Sequence, residues 1–178
     1  MRRSIFLSVL IFILLAAVWS LRPLASAKVF GLEVGTPLSQ ISIVDRLPSS
    51  RSFMNYVINL PNANQRFFHY YEAFITPKNG LCSIKASSEG PHVDQHQTYN
   101  RTDFNQLEEM LAKQYGSPEM VAGSGNPNTI WSNYNNDQRL MGGIRSIGAT
   151  LMDDGTISVI YHFRNLNECI KEIRFGDL

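Results

Sequence analysis

The chain has 178 residues, of which 44% are hydrophobic and 17% are charged, and its formal net charge at pH 7 is +1. This length is sufficient for one domain with a hydrophobic core, and a further domain would have to be very small. A nearly neutral chain without a cluster of lysine and arginine lacks the basic surface of a nucleic-acid-binding protein, so that class is excluded.

The first 27 residues have the pattern of an export signal. Two arginines at positions 2 and 3 precede an apolar run over residues 5–18, and Ala25-Ser26-Ala27 supplies the small side chains that signal peptidase requires. The apolar run is shorter than the about 20 residues that usually cross a membrane. The sequence predicts cleavage of a signal peptide and a periplasmic or secreted protein with no stable membrane anchor. A retained anchor and a twin-arginine signal are the alternatives.

Cleavage of the leader changes the length and the charge. Removing 27 of the 178 residues leaves 151, which we interpret as a single domain over residues 28–178. The leader contains three of the 16 basic residues and none of the 15 acidic residues, so 13 basic residues remain against 15 acidic ones, a formal charge of −2. Nucleic acid is therefore not an expected partner.

The two cysteines, Cys82 and Cys169, are expected to form a disulfide. An even number of cysteines in an oxidising compartment usually pairs. Such a bridge would link the C-terminal part of the chain to its middle. Two buried, unpaired thiols are the alternative, and two distant cysteines offer too few ligands for a zinc site.

The first part of the mature chain is predicted to form a helix and then a strand. Thr36 and Pro37 are residue types that begin helices, so a short helix is expected up to Leu47, before Pro48. Residues 54–60 then alternate between apolar and polar side chains, which is the pattern of a half-buried strand.

A hairpin is predicted next. Residues 67–76 and 81–87 are rich in β-formers and flank the turn sequence Pro77-Lys78-Asn79-Gly80. Period-two alternation of the second strand places Cys82 on the inward face together with Ile84 and Ala86.

A helix is predicted to open at Thr102-Asp103 and to extend to about Tyr115. Its apolar residues recur at helical intervals, Asp103 and Gln106 fit a capping box, and Gly116 is a typical helix end. Residues 117–128 are rich in glycine, asparagine and proline and are expected to form a loop.

The last third is predicted to be mostly strand. Residues 130–134, 140–152 and 156–163 have strand patterns, and the turn Asp153-Asp154-Gly155 joins the last two. A short terminal helix follows Asn165. The order helix, three strands, helix, three strands, helix predicts an α+β fold with an antiparallel sheet of about six strands in two three-stranded groups and helices packed on one face.

The segment Gly35-Thr36-Pro37-Leu38-Ser39-Gln40-Ile41, followed by a predicted meander, resembles the opening of the small envelope proteins of the SmpA/OmlA and β-lactamase-inhibitor-protein-like class. The resemblance covers about a dozen residues. The chain departs from the outer-membrane members of that class because it has no lipidated cysteine. The resemblance implies an antiparallel α/β domain with a non-catalytic binding role.

Enzymatic and metal sites find little support in the sequence. His92, Asp94 and His96 alternate in a polar loop and could offer three metal ligands on one side of an extended segment, but no fourth ligand can be assigned. The motifs of serine hydrolases and of zinc-dependent proteases are absent. No cofactor is expected.

Aromatic and amide side chains near the fourth predicted strand suggest a contact surface. Trp131, Tyr134, Asn135 and Asn136 combine large aromatic rings with short polar groups, which is typical of binding sites built from loops. The alternative is that Trp131 belongs to the core and the asparagines only form a turn.

The sequence thus predicts an exported protein-binding module, with an envelope or secreted enzyme as its partner and inhibition or immunity as its role. A small periplasmic hydrolase, a metal-dependent enzyme and a carrier of envelope components are the alternatives.

Overall fold

The computed structural model of the protein describes residues 28–47, 55–60, 66–90, 98–120, 128–132, 140 and 143–175. These residues form strands, two α-helices and a 3-10 turn at Leu38–Gln40. In chain order the elements are β1 (Ser42–Arg46), β2 (Asn55–Asn59), β3 (Tyr70–Thr76), β4 (Gly80–Ser87), α1 (Arg101–Tyr115), β5 (Glu119–Met120), β6 (Asn128–Ser132), β7 (Ile144–Leu151), β8 (Ile157–Phe163) and α2 (Leu166–Phe175).

The described strands form one eight-stranded antiparallel sheet in the order β1-β2-β3-β4-β8-β7-β6-β5. Two four-stranded meanders, each followed by a helix, join where β4 pairs with β8. The predicted α+β class with an antiparallel sheet is confirmed. The groups contain four strands rather than three, because the sequence patterns missed β1 and the two-residue strand β5.

Strand β1 lies where the sequence predicts a helix, so that prediction is wrong. The Thr36 hydroxyl donates a hydrogen bond to the Glu33 carbonyl and accepts one from the Glu33 N–H. The Thr36 side chain therefore closes the preceding turn instead of capping a following helix. The 3-10 turn ends at Ile41, where the backbone is already extended. The β-branched residues Ile43 and Val44 then favour a strand, which pairs with β2.

Helix α1 begins at Arg101, one residue before the predicted opening at Thr102-Asp103. The Asn100 side chain accepts hydrogen bonds from the N–H groups of Thr102 and Asp103, and the Asp103 carboxylate accepts one from the N–H of Asn100. The capping box is therefore Asn100 with Asp103 rather than Asp103 with Gln106. The predicted end at Gly116 agrees with the structure.

Helix α1 packs on one face of the sheet, which we call the inner face. Strict alternation along the strands places apolar side chains on this face. The hydrophobic core formed there includes Phe104, Leu107, Leu111 and Tyr115 of α1 and Ile84, Ala86, Ile147, Val159 and Tyr161 of the sheet.

The segment that precedes β1 also belongs to this core. Val29 is 2% exposed, and the ring of Phe30 meets the rings of Phe68, Tyr71 and Tyr161 edge-on, with centroid distances of 6.2, 5.3 and 5.6 Å. Phe30 has a left-handed backbone with φ of 51°, which a bulky residue adopts only where surrounding contacts favour it. Among the described residues, the core therefore begins at Val29.

A β-bulge interrupts the alternation of strand β4. Phe74 pairs with Ser83 but Ile75 pairs with Leu81, so Cys82 is an extra residue on the β4 side. Cys82 consequently packs with Phe74 and not with the core under α1. We call this opposite side of the sheet the outer face.

Helix α2 packs on a corner of the outer face, where Cys169 forms the predicted disulfide with Cys82. The disulfide is thus present, but the prediction that Cys82 shares a face with Ile84 and Ala86 is wrong because of the bulge. The prediction that the helices lie on one face is also wrong, since α1 and α2 lie on opposite faces. Among the described residues, no helix is long and apolar enough to cross a membrane.

Candidate functional site

On the outer face, strands β6, β7 and β8 lie side by side and carry several half-buried residues. Ile130 pairs with Gly148, and Gly148 pairs with Ile160, so these residues form one row across the three strands. We call it the Gly148 row. All three residues are half-buried, and their sequence neighbours Trp131, Ile147, Val159 and Tyr161 are buried on the inner face.

Short neutral side chains border the Gly148 row along the strands. Ser146 and Thr150 are two residues before and after Gly148 on β7, and Ser132 is two residues after Ile130 on β6. Because side chains alternate along a strand, these hydroxyls lie on the same outer face. All three are half-buried. The row therefore has an apolar centre with hydroxyl groups beside it.

Charged residues stand at both ends of the row. Lys85 of β4 pairs with Ile160, and Glu119 of β5 pairs with Ile130. The Lys85 ammonium lies 3.7 Å from the Glu72 carboxylate, and the Glu119 carboxylate accepts a hydrogen bond of 2.9 Å from the neutral Ser132 hydroxyl. The charges thus lie at the rim and leave the centre neutral.

No structural feature of the described chain requires a glycine at position 148. A Cβ atom added to Gly148 would have no atom of the described residues within 4 Å, and the backbone φ lies outside the left-handed region. Glycine in a strand interior weakens the strand, and it often marks a place where a ligand or another backbone approaches closely. The space above Gly148 is therefore open to a group from outside.

Other glycines of the described chain have clear structural reasons. Gly80 has a φ of 64°, and a Cβ atom there would lie 2.2 Å from the carbonyl oxygen of Gly35. At Gly90 a Cβ atom would lie 2.2 Å from the ring of Tyr70. Among the described glycines, Gly148 alone has neither a positive φ nor such a neighbour.

His162 is the titratable residue beside the Gly148 row. Its cross-strand neighbours on the outer face are Ser83 and Ser146. Burial lowers the pKa of His162, and the nearby Arg145 guanidinium lowers it further. The imidazole Nδ1 is buried without a hydrogen-bond partner among the described residues.

Trp131 does not lie on a contact surface. It is 2% exposed on the inner face, and its indole N–H donates a hydrogen bond of 2.8 Å to the carbonyl of Gly116 at the end of α1. The prediction that Trp131 contacts a partner is therefore wrong, because its ring fills the core between the sheet and α1.

The remaining sequence-based candidates lie outside the described residues. These are the contact candidates Tyr134, Asn135 and Asn136 and the metal-ligand candidates His92, Asp94 and His96. Among the described residues, no group of three histidine, cysteine, aspartate or glutamate side chains could hold a metal ion.

Gly148 was not among the site residues predicted from the sequence, although its position in the strand pattern is an indication of such a site. It is an isolated glycine inside a strand pattern, flanked by Ile147 and Ala149, and such a glycine indicates either a bulge or a close approach. Pairing of Gly148 with the half-buried Ile130 and Ile160 could not be read from the sequence, because register depends on contacts between distant segments.

Comparison with known proteins identified no relative of this chain. No protein family, curated protein or solved structure matches the chain. The resemblance to small envelope proteins therefore stays a prediction.

Proposed function

We propose that this protein is an exported binding module that contacts another protein through the outer face of its sheet. The observation that carries the proposal is the Gly148 row, where an open glycine lies between two half-buried isoleucines. The activity we propose is that of an inhibitor or immunity protein whose partner is an envelope-active enzyme.

The shape of the Gly148 row favours a protein partner over a small molecule. Small-molecule sites are concave and enclose most of the ligand, whereas this row lies on the face of a sheet. Protein interfaces combine an apolar centre with a polar rim. Ile130 and Ile160 supply such a centre, and Lys85 and Glu119 supply charged groups at the rim.

Three features support export. The leader has the pattern of a signal peptide, and the Cys82–Cys169 disulfide is typical of oxidising compartments. The third feature is the absence, among the described residues, of a helix long and apolar enough to cross a membrane, which is compatible with an exported protein.

We expect the exported protein to begin at Lys28. Signal peptidase requires small residues at the first and third positions before the cut, so Ala27→Arg should block processing. Ser26→Gln, between those two positions, is the matched control and should be processed normally. Intact-mass measurement of the protein recovered from its source distinguishes the two forms. A wild-type protein that retains residues 1–27 in the membrane fraction would contradict cleavage.

The binding surface can be tested by site-specific photo-crosslinking. A photoreactive phenylalanine at Ser146 would lie beside the Gly148 row, and the same residue at Met110 would lie on α1, where the side chain is 46% exposed. In exported fractions of the source organism, the Ser146 position is expected to form one discrete protein adduct and the Met110 position none. Gel mobility and mass spectrometry identify the adduct.

Competition provides the control for this experiment. An excess of unmodified protein should suppress the Ser146 adduct, because a specific surface saturates. Adducts of equal yield from both positions would indicate unspecific contact and contradict the proposal. The absence of any adduct from Ser146, in cells that produce and export the folded protein, would contradict it as well.

A further inference from the structure

We infer that the open space at Gly148 receives one apolar side chain of the partner protein, held between Ile130 and Ile160. The inference rests on the proposed function and adds to it the chemistry of the central contact. Gly148 is then a binding residue, because its lack of a side chain creates the room that the partner fills.

The spacing of the strands defines the size of this gap. Neighbouring strands lie about 4.8 Å apart, so the backbones of Ile130 and Ile160 are about 10 Å apart on either side of Gly148. The two isoleucine side chains form the walls, and the glycine backbone forms the floor. A gap of this width is suited to a single side chain and is too narrow for a helix.

The polarity of the gap selects the kind of side chain. Its walls are aliphatic, and the residues beside the floor, Ser146 and Thr150, are neutral. A charged occupant would lose hydration between the two aliphatic walls, and Lys85 and Glu119 lie two strands away from Gly148, at about 10 Å. An apolar occupant would instead remove isoleucine surface from water, which is favourable.

The cost of glycine in strand β7 supports the same conclusion. A β-branched residue is favoured in a strand over glycine, and the open space would admit its side chain. Gly148→Val is therefore expected to fold normally and to melt at a temperature no lower than the wild-type protein. The same substitution should fill the gap with its own methyl groups.

Amino-acid amides serve as probes of the occupant. N-acetyl-leucinamide and N-acetyl-glutaminamide have similar sizes and differ in polarity. In nitrogen–proton NMR spectra, the leucine probe is expected to shift the amide signals of Gly148, Ile130 and Ile160 saturably, with millimolar affinity, and the glutamine probe is not. Gly148→Val should weaken the leucine probe about tenfold or more, since it replaces the contact with the isoleucines. Asn59→Val, at an exposed position of strand β2 outside the row, is the control and should bind it as the wild-type protein does.

The outcomes separate this inference from the proposed function. If excess Gly148→Val protein suppressed the Ser146 crosslink as completely as wild-type protein does, the inference about the gap would be overturned. The proposal that the outer face binds a partner would remain. Equal shifts with both probes, or no saturable shift at Gly148, would also overturn it. If the occupant is a second copy of this chain, Gly148→Val would convert a dimer to a monomer in sedimentation, which would overturn the assignment to a different protein.

Discussion

Replacing both Cys82 and Cys169 by alanine is expected to lower the free energy of unfolding by about 4 kcal/mol. The two cysteines are 87 residues apart in sequence. A bridge across so long a segment restricts the unfolded chain strongly, and its removal makes the unfolded state more favourable. Urea denaturation of the two proteins under non-reducing conditions measures the difference.

Within the folded state, helix α2 should respond most to the loss of the bridge. Only Cys169 of its ten residues is buried, and so short a helix is not stable alone in water. The apolar contact that remains is the small cluster around Phe74. We therefore expect fast amide hydrogen exchange throughout α2 in the double variant while β4 and β8 stay protected.

A polar contact also holds α2 to the turn between β3 and β4, and it provides the control. Glu172 accepts hydrogen bonds of 2.8 Å from the N–H of Lys78 and 2.7 Å from the Asn79 side chain. Burial alone would raise the pKa of Glu172, but hydrogen bonds from Thr76, Lys78 and Asn79 lower it overall. Its stabilising contribution is therefore present above pH 4.5 and lost as the pH falls through the lowered pKa.

Glu172→Gln with the disulfide intact should cost only about 1 kcal/mol, because the bridge still holds α2 in place. If the double alanine variant lost no more stability than Glu172→Gln at neutral pH, the disulfide would not be the main attachment of α2. Equal hydrogen exchange in α2 of the wild-type and double-alanine proteins would contradict the prediction directly.

Features that depend on neighbouring residues were predictable from the sequence. The turn at residues 77–80, the helix that ends at Gly116 and the turn around Gly155 each follow from residues close together in the chain. The pairing of Cys82 with Cys169 was also predictable, because an export signal and an even cysteine count need no knowledge of the fold.

Features that depend on distant contacts were not predictable. The bulge at Cys82 reverses the face of that residue, and only the pairing of β3 with β4 reveals it. Thr36 could begin a helix by residue type, yet its carbonyl accepts a hydrogen bond of 2.9 Å from the distant N–H of Leu81, and its hydroxyl closes a turn with Glu33. In both cases the local pattern was compatible with two structures, and tertiary contacts favour the one that the pattern did not indicate.

The candidate site shows the same limit. Tryptophan is a typical residue of binding hot spots. The sequence alone, however, does not determine on which face of strand β6 the Trp131 side chain lies. Gly148 has no side chain that would mark it as a contact residue by residue type. It is a candidate because half-buried isoleucines lie beside it and because no described residue fills the space above it. Residue type pointed to Trp131 on the inner face of β6, whereas the site that we propose lies on the outer face of the same strand.

Trp131→Ala is expected to lower the free energy of unfolding by about 4 kcal/mol, which is a large part of the stability of a domain of this size. The side chain is 2% exposed, so its removal leaves a large cavity between β6 and α1. The substitution also leaves the carbonyl of Gly116 without the indole N–H, which lies 2.8 Å away in the native protein. Urea denaturation monitored by circular dichroism measures the change.

Trp131→Phe separates the core role from a contact role. Phenylalanine keeps most of the apolar volume but cannot donate to Gly116, so we expect a loss of about 1–2 kcal/mol and a folded protein. Because position 131 faces away from the Gly148 row, this folded variant should suppress the Ser146 crosslink as well as the wild-type protein does. If Trp131→Ala were as stable as the wild-type protein but no longer suppressed the Ser146 crosslink, the indole ring would lie at the partner surface. That result would contradict its assignment to the core.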